Sequence, residues 1–173
     1  MRIGILSDTH SYLPTKIKEL FAGVDHILHA GDIGSASVLR ELGQIAPVKA
    51  IRGNIDGDAF YFLEQSERFC LEGLRFMLIH NAGDPLRPRR DIVDELRKKP
   101  VDILISGHYH AFWVHELKDI GVLWLSPGAC GNSGHHLERF AMRLEFAPEN
   151  ERGANLLKEL KLEKLHLGAR GTV

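Results

Sequence analysis

Apolar residues along the chain come in short runs, each cut off by a polar motif or a turn residue. Ile3-Gly4-Ile5-Leu6 has the length and continuity of a buried strand. After Pro14, Ile17, Leu20 and Phe21 fall on one face of a helix. Ile27-Leu28-His29-Ala30 then has strand character, Val38, Leu39 and Leu42 give a second helix its apolar side, and Val48-Lys49-Ala50-Ile51 makes a third strand. This β-α-β-α-β rhythm predicts a largely parallel sheet with right-handed crossovers.

Downstream the rhythm changes. Arg68–Leu71 and Leu74–Ile79 flank Glu72-Gly73, which predicts a hairpin. A helix is expected over roughly Arg89 to Lys98, stopped by Pro100, and Ile103-Leu104-Ile105 is another buried strand. Strands are expected at Trp113–Leu117, Val122–Leu125 and Arg139–Phe146, with Gly- and Pro-rich turns between them. Between Ala154 and Leu167 two periods compete. Leu156, Leu157 and Leu160 suit a helix, Leu160, Leu162, Leu165 and Leu167 partly suit a strand, and a final edge strand is expected. The fold class that accommodates both halves is α/β, with two facing mixed sheets flanked by helices in one domain over residues 1–173.

Composition narrows the picture only a little. A chain of 173 residues, 44% apolar and 26% charged, fits one globular domain with a real core. The 22 basic residues nearly balance the 23 acidic ones, and no long basic stripe marks a nucleic-acid backbone footprint. No leader-like segment and no apolar run of membrane-spanning length stands out, so a cytoplasmic protein is expected. Cys70 and Cys130 form no disulfide framework, and Cys70 is expected in the core. The ten histidines say more, since imidazole is a common metal ligand.

The chemistry sits where the apolar runs stop. In order these places carry Asp8-Thr9-His10, Gly31-Asp32, Gly53-Asn54-Ile55-Asp56, His80 and Gly107-His108-Tyr109-His110. Ligands of open α/β sheets gather beyond the carboxyl ends of strands, so these groups can converge despite their separation in sequence. The glycines at 31, 53 and 107 are expected to turn the backbone just before a ligand. Each motif alone is weak, but the ordered set points to cations held by imidazoles and carboxylates. His26, His29, His115 and His166 are expected to be strand or surface residues.

The ordered set resembles the motifs of calcineurin-like metallophosphoesterases, and more narrowly of the small bacterial and archaeal phosphodiesterases related to the retromer subunit Vps29. The match runs from Met1 to about Gly134 and includes Ser126-Pro127-Gly128, which is similar to the family's Asn-Pro-Gly turn. The resemblance implies that Asp8, His10 and His110 hold one metal, that Asn54, His80 and His108 hold another, and that Asp32 bridges them. It implies manganese as the metal, with iron, zinc, cobalt and nickel compatible with the same ligands. Two carboxylates against two dications and a bridging hydroxide leave about one net positive charge, which favours a phosphoryl anion. The implied reaction is in-line attack of the hydroxide on a small phosphate ester, and the rival expectation is a catalytically weak binding scaffold of the Vps29 type.

Departures from the family pattern are informative. Many of these phosphatases carry a proton-donating His where this chain has Ile55, which directs the expectation towards phosphodiesters. Asp56 matches an acidic family position and either orients a ligand in the catalytic centre or merely forms a turn. Asn81-Ala82 replaces a common Gly-His, and Tyr109 stands where Thr is usual. Substrate contacts are expected from Arg87, Tyr109 and His135, while His136 shares with His135 the expectation of a substitute general acid. Arg89 and Arg90 are further phosphate-clamp candidates.

Overall fold

Alternation in the first strand, β1 (Arg2–Leu6), sends apolar side chains to both faces of a sheet. The computed structural model describes residues 1–148 and 159–171. Ile3 and Ile5 enter a central cluster with Leu28, Phe76, Leu78, Ile103 and Ile105. Leu6 enters a second cluster, with Ile17, Phe21, Val38 and Leu42 from the helical segments. Each fully buried Leu, Ile or Phe contributes about 1.5–3 kcal/mol by leaving water. Gly4 belongs to this arrangement, because a Cβ there would meet the Phe21 ring at 2.7 Å.

The first sheet continues through α1 (Ile17–Leu20), β2 (His26–His29), α2 (Ala36–Leu42) and β3 (Val48–Ala50). Strands β1, β2 and β3 pair in parallel, as the rhythm predicts. After a 3-10 turn at Asp58–Phe60, β4 (Ser66–Leu71) and β5 (Leu74–Ile79) form the expected hairpin. Its turn residues Glu72 and Gly73 both have positive φ, 46° and 74°. Such turns match the right-handed twist of the flanking strands. A small ribbon, β6 (Gly83–Asp84) with β7 (Arg87–Pro88), precedes α3 (Arg90–Lys98). No sequence periodicity announces this ribbon, since each strand is only two residues long.

The remaining strands are β8 (Ile103–Ser106), β9 (Phe112–Leu117), β10 (Val122–Pro127), β11 (Glu138–Glu145) and β12 (Lys161–Ala169). One sheet has the order β12-β11-β1-β2-β3 and the other β4-β5-β8-β10-β9. The central cluster fills the space between them, and α3 covers the outer face of the second sheet through Ile92 and Leu96 against Met77, Leu104 and Trp124. The layers are thus helix, sheet, sheet, helix. Strand β12 lies at a sheet edge, as expected, although residues 154–158 of the Ala154–Leu167 segment lie outside the described residues. Cys70 corrects an expectation: it is exposed, because β4 is an edge strand. Among the described residues no helix is long and apolar enough to cross a membrane.

Candidate metal centre

The parallel strands of both sheets end on the same side, and that is where the polar motifs lie. Asp8 and His10 follow β1, Asp32 follows β2, Asn54 follows β3, His80 follows β5, and His108 and His110 follow β8. Five of these residues have positive φ: Asp8 (53°), His10 (46°), Asp32 (55°), His108 (73°) and His110 (56°). L-residues adopt this conformation rarely, and it concentrates at sites where surrounding structure over-determines the backbone.

The side chains meet through acceptor atoms. His110 Nε2 lies 3.3 Å from Asp8 Oδ1, and His10 Nε2 lies 3.4 Å from His110 Nε2 and 3.7 Å from Asp32 Oδ2. On the other side His80 Nε2 is 3.3 Å from Asp32 Oδ1 and 3.0 Å from Asn54 Oδ1, to which His108 Nδ1 is also 3.0 Å away. Two groups of donor atoms therefore form, Asp8-His10-His110 and Asp8-Asp32-His80, each within 4.8 Å. Asp32 presents one carboxylate oxygen to each side. Carboxylates, an amide oxygen and imidazole nitrogens gathered this closely could hold a cation, and N/O donors of this kind suit divalent transition metals.

Surrounding bonds aim the lone pairs inwards. His80 Nδ1 is 2.8 Å from the Ala30 carbonyl and donates to it, which leaves Nε2 free to accept a metal. His110 has a corresponding support. Its Nδ1 lies 3.0 Å from His136 Nδ1, while His136 Nε2 donates to the Gly131 carbonyl at 3.0 Å. That pattern puts the shared proton on His110 Nδ1 and frees its Nε2. Asp56, buried, accepts the backbone N–H groups of Ile33 (3.0 Å), Gly34 (2.8 Å) and Gly53 (2.8 Å). It ties the Asp32 loop to the Asn54 loop, and all three bonds go to main chain.

Two of the glycines work differently from the expectation. Gly31 has φ 89°, but Gly53 and Gly107 are not left-handed. They are required for close approach: a Cβ on Gly53 would overlap the Asp32 carboxylate, and one on Gly107 would lie 2.8 Å from Asp8 Oδ2. Ser126 and Pro127 end β10 instead of forming a turn, and the chain bends at Gly128 (φ 76°); beyond it Cys130 and Gly131 donate to the carbonyls of Ser7 (2.9 Å) and Asp8 (3.0 Å).

The comparison that decides the family is a match of residues 1–147 to the calcineurin-like phosphoesterase superfamily domain. The chain belongs to that superfamily. It is 38% identical over 138 residues to a probable metallophosphoesterase of Methanothermobacter thermautotrophicus, covering 75% of this chain and 77% of the relative. It is 30% identical over 147 residues to a phosphodiesterase of Methanocaldococcus jannaschii, covering 75% and 84%. The fold is that of Vps29 from Entamoeba histolytica solved with zinc (TM-score 0.74, 20% identity, 97% and 100% covered). An archaeal phosphodiesterase shares it as well (TM-score 0.72, 23% identity, 96% and 99% covered). The calcineurin-like family implies divalent metals, and the two donor groups are candidates to bind them.

Electrostatics in this calcineurin-like centre agree with a demand for positive charge. Burial opposes protonation of His80, yet its bond to Asp32 and the charges of Asp8 and Asp32 outweigh burial and raise its pKa. Burial likewise acts to raise Asp32, but the His80 bond and charge hold it below the usual carboxylate range. His108 is lowered by burial and then by the neighbouring His80 charge. Cys130 is fully buried, which raises its thiol pKa and keeps it protonated and inert.

Other candidates separate. Tyr109, 45% exposed, and His135, also exposed, line an open groove of about 490 Å³ with His108, His110 and His136. Arg87 is placed elsewhere, in a groove with Arg90 and Arg97 that contains none of the candidate ligands. Arg87 lies in β7, whereas Arg89 caps the N-terminus of α3, and it is Arg89 that borders Asn54 and His80. His136, not His135, touches the cluster. His29, anticipated only as a strand residue, is fully buried under the centre, where it accepts from Gly31 N–H (3.2 Å) and bonds Thr9 Oγ1 (3.0 Å). Nothing in its sequence context separates it from an ordinary strand histidine.

Proposed function

We propose that this chain is a dinuclear metal-dependent phosphodiesterase. The observation that carries the reading is Asp32, whose two oxygens face His10 on one side and His80 on the other. Asp8, His10 and His110 would hold one ion, Asn54, His80 and His108 the other, and Asp32 both. Two divalent ions, manganese by resemblance, would supply Lewis acidity and lower the pKa of water near neutral pH.

The chain's own residues do the rest. His80 and His110 are held in the tautomers that ligate, by Ala30 and by His136. Asp56 positions the two loops and does not touch the reacting atoms. Tyr109 and His135 on the groove rim contact the substrate's alcohol portions. Ile55, 45% exposed beside Asn54, offers no proton to a leaving group. Esters with a leaving group that departs unassisted, such as aryl and strained diesters, are therefore the favoured class. An exposed free thiol at Cys70 suits the reducing cytoplasm.

The test is hydrolysis of bis(p-nitrophenyl) phosphate and p-nitrophenyl phosphate by manganese-loaded protein, with metal content measured. The diester should be preferred, and Asp32→Ala should abolish turnover and lower the metal content. Equal behaviour of wild type and Asp32→Ala would refute the reading. A second reading, a Vps29-like binding scaffold, draws on Tyr61 and Phe62, which are 75% and 66% exposed. It predicts no turnover in the same assay, with or without bound metal.

A further inference from the structure

Beside His80 lies a cavity of about 310 Å³ whose lining includes Arg52, Asn54, Ser66, His80, Asn81 and Arg89. Asn54 and His80 belong to the metal centre as well, so the cavity and the centre share a wall. We propose that this cavity is a second anion subsite, binding a phosphate group of the substrate other than the one that is cleaved. The substrate part of the inference rests on the phosphodiesterase reading, whereas the anion site itself rests on Arg52.

Arg52 is half-buried, and its Nε is buried without a hydrogen-bond partner. Among the described residues its guanidinium makes no ion pair, although its backbone N–H bonds Glu64 at 3.0 Å. The acidic group on the same wall does not serve it: Glu95 accepts from Arg68 Nε at 3.0 Å and Arg68 Nη2 at 2.9 Å. Arg89 is steered by Asp91 and by the Asn81 carbonyl, 3.0 Å from its Nη1, and still has N–H groups to donate. One positive charge in the cavity is thus uncompensated.

The Arg52 Nε is sealed off, but the outer guanidinium nitrogens are neither buried nor bonded, so an unpaired charge on the cavity wall has N–H groups to give to a ligand oxygen. The planar fork of Arg fits two phosphate oxygens at once. Ser66 and Asn81 add neutral donors for the remaining oxygens. Position sets the size of the ligand. Arg52 and Asn54 are two residues apart, so their Cα atoms lie within about 7 Å. A second phosphate in this cavity belongs to the same small molecule as the scissile one, because Asn54 and His80 line both places.

Two measurements test this. In zinc-loaded full-length protein, titration with sulfate at constant ionic strength should give a saturable NMR shift of Arg52 Nε–H, with affinity about tenfold weaker in Arg89→Gln, whose side chain is exposed and not needed for folding. No saturable shift overturns the subsite. In the manganese-loaded protein, the p-nitrophenyl ester of thymidine 5′-phosphate is compared with the same compound bearing a 3′-phosphate. Wild type should prefer the latter in kcat/KM, and Arg52→Gln should cut that preference about tenfold, with Arg52→Lys intermediate. Absence of a preference in wild type overturns the substrate assignment. Failure to cleave either ester defeats the phosphodiesterase reading, and with it the substrate assignment, while the sulfate titration still decides the anion site.

Discussion

His29 offers the sharpest test of how the centre is supported. It is fully buried, and burial lowers its pKa from 6.5 to about 4, despite the opposing charges of Asp8 and Asp56. The folded protein therefore keeps it neutral, accepting from Gly31 and donating to Thr9. Below pH 6.5 the unfolded chain takes up this proton, while the folded chain does so only near pH 4. Stabilisation is complete above pH 6.5 and is lost as pH falls towards 4. A proton held this differently is worth about 3 kcal/mol. His29→Gln preserves size and hydrogen bonding in part but removes the titration, at a cost of about 1 kcal/mol near pH 7.5. Urea unfolding of both proteins, with chelator present so that metal release does not contribute, should show the gap closing on acidification. Near pH 4 the variant should be the more stable by about 2 kcal/mol. A gap that stays constant from pH 7.5 to 4 would refute the account of a buried neutral imidazole.

Three further outcomes are expected. His136→Ala should weaken metal binding by roughly 10–100-fold, because His110 loses the partner that selects its tautomer, and His136→Gln should recover part of it; calorimetric zinc titration reads both. Asp56→Ala leaves three backbone amides without their acceptor and should cost about 2–4 kcal/mol in denaturant unfolding. The pH profile of kcat in that variant should keep its shape, since Asp56 holds loops and moves no proton. Ile55→His supplies a proton donor at the rim and should raise monoester relative to diester turnover by at least about tenfold, a modest share of what general acids provide. An unchanged ratio would show that residue 55 does not face the leaving group.

The polar motifs were legible because each follows an apolar run, and a strand end is a place where sequence neighbours must leave the sheet. Supporting residues carried no such mark. His136 stands in a Gly-rich loop next to His135, and only the packing of that loop against the β8 end distinguishes the two. Arg87 and Arg89 differ by two positions, yet the first lies in the ribbon and lines the outer groove, while the second caps α3 and lines the cavity beside His80. Gly53 and Gly107 look like turn glycines in sequence and prove to be spaces, for the Asp32 carboxylate at Gly53 and for Ser7 and Asp8 at Gly107. Cys70 has the local context of a core residue and is exposed because its strand has a neighbour on one side alone.

By itself, the sequence determined the strands and helices of the two main layers, the two-sheet α/β class and the ordered set of metal-type residues. These depend on local periodicity and on what terminates a strand. Only the tertiary structure decided that Asp32 turns one oxygen to each side, that His29 lies sealed beneath it, and that Arg52 is left with an unpaired buried N–H. The physical reason is that burial, tautomer and unpaired charge are relations between distant segments, and a chain read in order contains no term for them.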